Sequence, residues 1–305
     1  MKVAVLYGGT SAEREVSLSS GKGIINALRS KGYDVTGIDF NPNDLGKVVN
    51  LEADLVFIGL HGRFGEDGRV QGILDVLGIP YVGSGVLGSA LAMDKAKSKK
   101  MFCTAGIRVA KDKVLHKHSY NRETVELNIS YPIVVKPNSE GSTIGLTIAH
   151  SEEEAYQGIE EAFRFDEVVL VEEFISGKEV TVAVMGEKDN VNALPVVEII
   201  PKNSYYDYES KYAAGGSEHI VPARLEEKIT ASLQTNAVLA HKALGCEVYS
   251  RVDFIVPHDG SEPVILEVNT LPGMTPTSLF PDAAKAVGIS YEEMIDQLVK
   301  LSLKK

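Results

Sequence analysis

The residues best suited to chemistry lie near the C-terminal end, in Arg251-Val-Asp253-Phe-Ile-Val and Ile265-Leu-Glu267-Val-Asn269. These alternating apolar runs flank His258-Asp259-Gly260-Ser261, a turn-rich connection, which predicts a β-hairpin. Side chains alternate faces along a strand, so Arg251 shares a face with Asp253, and Glu267 with Asn269. Pairing of the strands brings Asp253, Glu267 and Asn269 together as hard oxygen ligands, with Arg251 beside them. Carboxylates and an amide in this number suit Mg²⁺, which completes its shell with phosphate oxygens and water. An ordinary hairpin with a solvated face is the competing reading. Thr270-Leu-Pro-Gly273-Met-Thr follows directly, and Gly273 would let a ligand approach the backbone closely. The stretch predicts a metal–phosphate site.

A second group of candidates lies upstream. Lys136 ends the apolar run Tyr131-Pro-Ile-Val-Val and precedes Asn138-Ser-Glu-Gly141-Ser142-Thr-Ile-Gly145. A strand lysine must be paired if buried, and a glycine- and hydroxyl-rich loop can turn backbone N–H groups toward phosphate. A surface β-turn is the alternative. The segment Val168-Val-Leu-Val-Glu172-Glu173-Phe174-Ile175 can offer backbone groups to an adenine edge, with Phe174 or Ile175 as apolar wall, while Glu179 could take ribose hydroxyls. Taken alone it reads equally as a strand with a solvated end. Of the basic run Lys95, Lys97, Lys99 and Lys100, three are expected to be solvated and one to serve the site. Glu13, after Gly8-Gly9, could grip a substrate amine or merely offset a helix dipole, and His61 at a strand end could be catalytic or simply a satisfied loop histidine.

The elements that must position these groups follow from periodicity. The first ~95 residues alternate strand-like runs (3–7, 33–40, 54–60, 79–82) with helical stretches (16–28, 70–77), which predicts a βαβ series and a parallel sheet. Ligands in such folds sit at the C-terminal strand edges, where the loops Gly8–Glu13 and His61–Gly68 lie. The first loop lacks a dinucleotide G-x-G-x-x-G, and Ser19-Ser20-Gly21-Lys22-Gly23 lacks the upstream glycine and following hydroxyl of a P-loop. Downstream, helices are expected over 153–165, 226–244 and 291–303, and strands over 180–185 and 191–200 form an antiparallel sheet with the hairpin. Polar, aromatic, glycine-ended Asn203–Gly216 suits a mobile lid.

Composition narrows the class. A chain of 305 residues supplies two or three domains, and no apolar run is long enough to span a membrane. A net charge of −11 argues against nucleic acid as a partner. Two distant cysteines, Cys103 and Cys246, exclude a disulfide scaffold and suggest a reducing cytoplasm.

From Gly8-Gly9-Thr-Ser-Ala-Glu13 through Leu60-His61-Gly62, Gly65-Glu66-Asp67-Gly68, Met93-Asp94-Lys95, Val135-Lys136-Pro137, Glu140-Gly141-Ser142, Tyr206-Asp207-Tyr208-Glu209, Lys211-Tyr212, Arg251-Val-Asp253 and Glu267-Val-Asn269-Thr-Leu-Pro-Gly-Met-Thr, the whole chain resembles the D-alanine–D-alanine ligases of the ATP-grasp superfamily. That resemblance implies an α/β ATP-grasp fold: an N-terminal α/β substrate domain (1–95), a central ATP-grasp subdomain (96–183) and a C-terminal subdomain with metal site and lid (184–305). It implies ATP as co-substrate, two Mg²⁺ ions with Mn²⁺ as an alternative, D-alanyl phosphate as intermediate, and D-alanyl-D-alanine for peptidoglycan synthesis as product. A cytoplasmic homodimer is expected. By the same resemblance Lys95, Lys136 and Lys211 bind phosphates. Glu172, Glu173, Phe174, Ile175 and Glu179 surround adenine and ribose, the contacts near Glu173 coming from backbone. Asp253, Glu267 and Asn269 hold metal, and Arg251 with the Gly273 backbone stabilises an oxyanion. Glu13 takes the first substrate's ammonium with His61 nearby, Ser278 takes the second substrate's carboxylate, and Ser142 and Tyr212 join Glu13 to tie down the lid.

Overall fold

The computed structural model describes residues 1–187, 190–201 and 217–305. The first apolar run becomes β1 (Lys2–Gly8), flanked by β2 (Asp34–Phe40) and β3 (Leu55–Ile58) in a parallel sheet of order β2-β1-β3. Between them lie α1 (Arg14–Ser30) and α2 (Gly46–Val49), and α3 (Arg69–Leu77) follows β3. α1 lays Ile24, Ala27 and Leu28 on the sheet, joining Val3, Val5 and Phe57 in one core. The strand expected over 79–82 is reduced to a bridge between Tyr81 and Val56, because Pro80 has no N–H to extend the ladder.

α4 (Val86–Met93) and α5 (Lys95–Thr104) lead into a second, antiparallel sheet. It contains β4 (Asp112–His116), β5 (Ile133–Pro137), β6 (Thr147–Ala149) and β7 (Val168–Glu173) in the order β4-β7-β5-β6. α6 (Glu152–Ala162) begins at Ser151, whose hydroxyl accepts from the Glu154 N–H, and covers one face with Ala155, Ile159 and Ala162. Ile133 and Val135 point under α6, so alternation sends Val134 and Lys136 to the opposite, uncovered face.

The third sheet has the order β11-β10-β8-β12-β13, with β9 also on β8. Its strands are β8 (Gly177–Glu187), β9 (Asn190–Ala193), β10 (Val197–Pro201), β11 (Ser217–Ile220), β12 (Tyr249–Pro257) and β13 (Val264–Asn269). The single strand expected over 191–200 is interrupted at Pro195, leaving β9 and β10 as separate pieces. All of β8 belongs to this sheet, so a subdomain boundary between 183 and 184 would cut a strand; the connection at 174–176 is the break in regular structure.

Residues Val180, Val182, Val184, Val252 and Phe254 face α7 (Glu227–Ala243), which contributes Leu233, Ala237 and Ala240. α8 (Leu279–Ala286) and α9 (Tyr291–Ser302) return to the first core through Phe280, Met294, Ile295 and Leu298. The N-terminal sheet and the C-terminal helices thus share one hydrophobic interior.

α4 docks through a glycine contact. A Cβ at Gly88 would lie 2.7 Å from the Gly245 carbonyl oxygen, where Gly245 has φ +67° just after α7. Helix propensity alone favours Gly→Ala by about 1 kcal/mol. Overpacking here opposes it by roughly 1–3 kcal/mol. Gly88→Ala is therefore expected to lower Tm, and thermal unfolding of the variant checks the sign.

Candidate active site

The hairpin of β12 and β13 pairs Asp253 with Glu267 and Arg251 with Asn269, with a bulge between Asp253 and Phe254. Its turn is held by Asp259, whose Oδ1 accepts from the Ser261 N–H at 2.9 Å, and by Gly260 at φ +77°. β8 pairs Thr181 with Asp253, so Arg251, Asp253, Thr181, Glu267 and Asn269 meet on the face opposite α7. The Arg251 guanidinium forks onto Asp253 at 2.9 and 2.8 Å. The Thr181 hydroxyl donates to the Asp253 carboxylate at 2.5 Å. Asn269 Nδ2 donates to Asp253 Oδ2 at 3.0 Å, which fixes the amide's orientation and leaves its carbonyl oxygen as the ligand end. Among the described residues no three His, Cys, Asp or Glu side chains gather as a metal cage. Two carboxylates and an amide oxygen are instead the short, hard donor set that fits a magnesium ion sharing phosphate ligands.

Three lysines approach this face. Lys95, at the start of α5, donates to the Glu140 carbonyl at 2.7 Å and lies 3.3 Å from Glu267 Oε2. Lys136 pairs with Glu172 Oε2 at 2.6 Å. Lys99, one turn beyond Lys95, takes the other Glu172 oxygen at 2.5 Å and also reaches Asp112 at 3.0 Å. Burial alone would raise the Glu172 carboxyl, but Lys136 and Lys99 outweigh it and hold it below the usual carboxylate range. Burial likewise works against the charge of Lys136, and Glu172 more than offsets it.

The N-terminal sheet supplies the third side. Glu13 precedes α1 yet makes no cap to that helix; its carboxylate instead accepts from the Ser142 hydroxyl at 2.5 Å. Ser142 and Thr143 both adopt positive φ, 51° and 63°, which bends the loop after β5 toward Glu13. His61 is buried, with Nδ1 3.1 Å from the Leu271 carbonyl and Nε2 3.1 Å from the Ser20 hydroxyl. A carbonyl can only accept, so Nδ1 carries the proton and Ser20 donates to Nε2. Burial pushes the His61 pKa down, only partly opposed by Glu13, which agrees with a neutral ring. Ser20 also accepts from the Met274 N–H at 3.2 Å, and the Tyr291 hydroxyl donates to the Met274 carbonyl at 2.6 Å. The loop following β13 is thus held from two sides. Within it, a Cβ at Gly273 would come within 3.1 Å of the Ser278 hydroxyl, which itself accepts from the Thr275 N–H at 3.1 Å.

Known proteins resemble this chain over its whole length. Residues 2–45 and 43–84 match the family model described as D-ala D-ala ligase N-terminus, and residues 101–300 match D-ala D-ala ligase C-terminus. The chain is 69% identical over 305 residues, all of both chains, to a D-alanine–D-alanine ligase of Halalkalibacterium halodurans. It belongs to the D-alanine–D-alanine ligase family. Among solved structures, a D-alanine–D-alanine ligase from Bacillus anthracis superposes with a TM-score of 0.87 at 36% identity, covering 100% of this chain and 98% of that one. The VanG D-Ala:D-Ser ligase from Enterococcus faecalis gives 0.85 at 34% identity, with 99% of each chain covered. The fold is accordingly ATP-grasp, with its parallel sheet in the N-terminal region and antiparallel sheets elsewhere.

Several residues sit differently from the sequence expectation. Lys99 is not solvated; it is among the most enclosed charges in the molecule. Of the basic run only Lys97 and Lys100 are exposed. His61 spends both ring nitrogens on Leu271 and Ser20, so it holds the loop after β13 rather than offering a free group to a substrate. Both Glu172 oxygens face lysines. The Glu173 carboxylate accepts from the Lys111 N–H at 2.8 Å, and the Phe174 N–H donates to the Pro132 carbonyl. That leaves Phe174, at the margin of exposure, and Ile175 as the segment's open end, with Glu179 further along on β8. The lid over 203–216, with Lys211 and Tyr212, lies outside the described residues.

Glu66 is the acidic group whose role sequence reasoning missed, although its loop follows β3 at the strand edge where ligands gather. Its Oε2 accepts from the Gly62 N–H at 2.8 Å, and burial first, then the charge of Glu13, push its pKa up to about 8. A carboxyl raised in the folded protein binds a proton that the unfolded chain has released, so stability falls as pH rises between the two values. Glu66→Gln is therefore expected to raise Tm relative to the wild type increasingly from about pH 4.5 to about pH 8, with no difference below that window. Thermal unfolding across pH checks it; a gap that widens toward acid would contradict the assignment.

Proposed function

We propose that this cleft performs the ATP-dependent ligation of two D-alanine molecules into D-alanyl-D-alanine for peptidoglycan synthesis, with its residues dividing the work as follows. The observation that carries this reading is that Glu13 meets Ser142, while Lys95 spans from the Glu140 carbonyl of the same loop to Glu267 on the face with Arg251, Asp253 and Asn269. A carboxylate resists attack by an amine because its leaving group would be oxide. Phosphorylating the first D-alanine by ATP gives D-alanyl phosphate, whose phosphate departs when the second amine attacks. Both steps need anions stabilised and water kept out.

On this reading Glu13 receives the ammonium of the first D-alanine. Glu66 lies beside it, and an ammonium bound there would draw down the raised pKa of that carboxyl. Lys136 and Lys95 pass from Glu172 and Glu267 toward phosphate oxygens as the nucleotide arrives. Asp253, Glu267 and Asn269 would hold the magnesium ions, which when bound neutralise charge on the transferring phosphates. Arg251 and the backbone at Gly273 stabilise the tetrahedral oxyanion, and the Ser278 hydroxyl beside Gly273 receives the second substrate's carboxylate. Ile175 backbone, Phe174 and Glu179 take adenine and ribose. Lys211 is assigned to phosphate and Tyr212 to the Glu13–Ser142 pair by family resemblance alone. The grasp divides into an N-terminal substrate region and two ATP-binding regions. No helix of the described residues is long and apolar enough to cross a membrane, in keeping with a cytoplasmic enzyme; exposed Val86 and Leu87 at the start of α4 offer apolar surface to a second copy in a homodimer.

Phosphate release from ATP and Mg²⁺ should depend on D-alanine and be negligible with L-alanine; equal release with both would defeat the proposal. Adding D-serine or D-lactate beside D-alanine reads the second subsite, and a mixed product would broaden the substrate class.

Asp253→Asn and Glu267→Gln should each cut turnover by ~10²-fold or more at limiting Mg²⁺ while leaving the fold intact. Near-normal rates in both would remove the metal assignment.

Glu13→Gln should raise KM for the first D-alanine far more than KM for ATP, because it deletes the counter-charge of one substrate only. Equal weakening of both would make Glu13 a structural tie to Ser142.

A further inference from the structure

Lys99 carries no role in the reaction as described above, yet it is a charged side chain only 5% exposed. Its ammonium donates to the Ala110 carbonyl at 2.8 Å and to Glu172 Oε1 at 2.5 Å, and lies 3.0 Å from Asp112 Oδ1. The ammonium thus makes two hydrogen bonds and a further ion pair. The backbone explains why it is needed. β4 and β7 pair Asp112 directly opposite Glu172, setting two carboxylates side by side across neighbouring strands. Like charges in that arrangement are destabilising. Lys99 reaches in from α5 and bridges them.

The other Glu172 oxygen holds Lys136, which lies one diagonal step away on β5. Four charges thus form a connected set, Lys99 and Lys136 against Glu172 and Asp112, with Glu267 of the neighbouring hairpin also acting on Lys136. The two lysines differ in freedom. Among the described residues Lys136 has one ion pair and faces the cleft, whereas Lys99 is held by two hydrogen bonds and by a second carboxylate. When Lys136 turns its charge to a nucleotide phosphate, Glu172 and Asp112 keep Lys99 as their counter-charge. Without Lys99, Lys136 would be the only cation beside two carboxylates, and drawing it toward phosphate would leave both uncompensated.

We infer that Lys99 is a positioning residue for the nucleotide site: it balances Glu172 and Asp112 so that Lys136 is released to engage ATP. The inference rests on the reading of Lys136 as a phosphate ligand. Lys99 touches no substrate in this scheme; it acts through Glu172. The D-alanine side of the cleft, built on Glu13 and the loop after β13, is linked to β5 through Ser142 rather than through Glu172, so a change of charge at Lys99 is expected to reach it far less than the nucleotide side.

The test compares Lys99→Met, the charge-balanced double variant Lys99→Met/Asp112→Asn, and Lys136→Ala. Steady-state kinetics give KM for ATP and for D-alanine, and calorimetric titration with ADP and Mg²⁺ gives nucleotide affinity directly. Lys99→Met is expected to raise KM for ATP by ~10-fold or more while KM for D-alanine moves less than ~2-fold. The double variant, which restores neutrality to the set, should recover at least half of the lost ADP affinity on a logarithmic scale. A KM for ATP within ~2-fold of the wild type in Lys99→Met, even with a lowered Tm, would overturn the inference, since Lys99 would then serve folding alone. Equal rises in both KM values would overturn it as well. Should Lys99→Met not fold, the double variant decides: ADP affinity within ~3-fold of the wild type upholds charge balance, and a loss as large as that of Lys136→Ala refutes it. If Lys136→Ala itself leaves ADP and ATP binding unchanged, the phosphate reading of Lys136 fails, an outcome distinct from failure at Lys99.

Discussion

A charge taken out of water must find an opposite charge or hydrogen-bonding partners, and this requirement organises the cleft. Asp253 has Arg251, Thr181 and Asn269; Glu267 has Lys95; Glu172 has Lys99 and Lys136. In the Glu172–Lys136 pairing each partner holds the other charged against a burial that works the opposite way. Such pairs contribute little net stability, because desolvation consumes much of the attraction. In the proposed function their value lies in placing cations and anions where phosphate and ammonium are received. On the proposed reading, a polyanionic nucleotide takes the place of the carboxylates that hold Lys95 and Lys136.

Strand alternation makes that arrangement compatible with a stable core. In β8 and β12 one face sends Val180, Val182, Val252 and Phe254 against α7, while the other carries Thr181, Arg251 and Asp253. In β5 the same rule buries Ile133 and Val135 under α6 and exposes Lys136 to the cleft. The apolar half of each sheet supplies the folding energy, so the polar half can be spent on electrostatics.

The N-terminal region is joined to this frame by hydrogen bonds that also fix protonation states. His61 is pinned as the Nδ1–H tautomer between Leu271 and Ser20, and Ser20 in turn holds Met274. Glu13 reaches Ser142 in the loop after β5. Segments far apart in the chain are thereby tied at the cleft by a few short contacts, beside the hydrophobic interior that the N-terminal sheet shares with the C-terminal helices.

Local periodicity already carried much of this in the sequence. Strand alternation placed Asp253, Glu267 and Asn269 on one face with Arg251, and the turn at Asp259-Gly260 set the hairpin. The βαβ rhythm gave the parallel sheet, and Pro80 and Pro195 mark where expected strands fail, a signal present in the chain but underweighted against their apolar neighbours. What the sequence by itself determined was which residues share a face, because that depends on a two-residue repeat within one strand. Which faces meet was decided only by tertiary structure. Glu13 and Ser142 are 129 residues apart, His61 and Leu271 210, and Lys99 and Glu172 73. Lys99 and Lys100 are adjacent in a basic run and read alike, yet the orientation of α5 buries the first against two carboxylates and leaves the second in water. A side chain's charge is written in its identity, but its counter-charge is supplied by whatever packing brings alongside, and no local pattern encodes that.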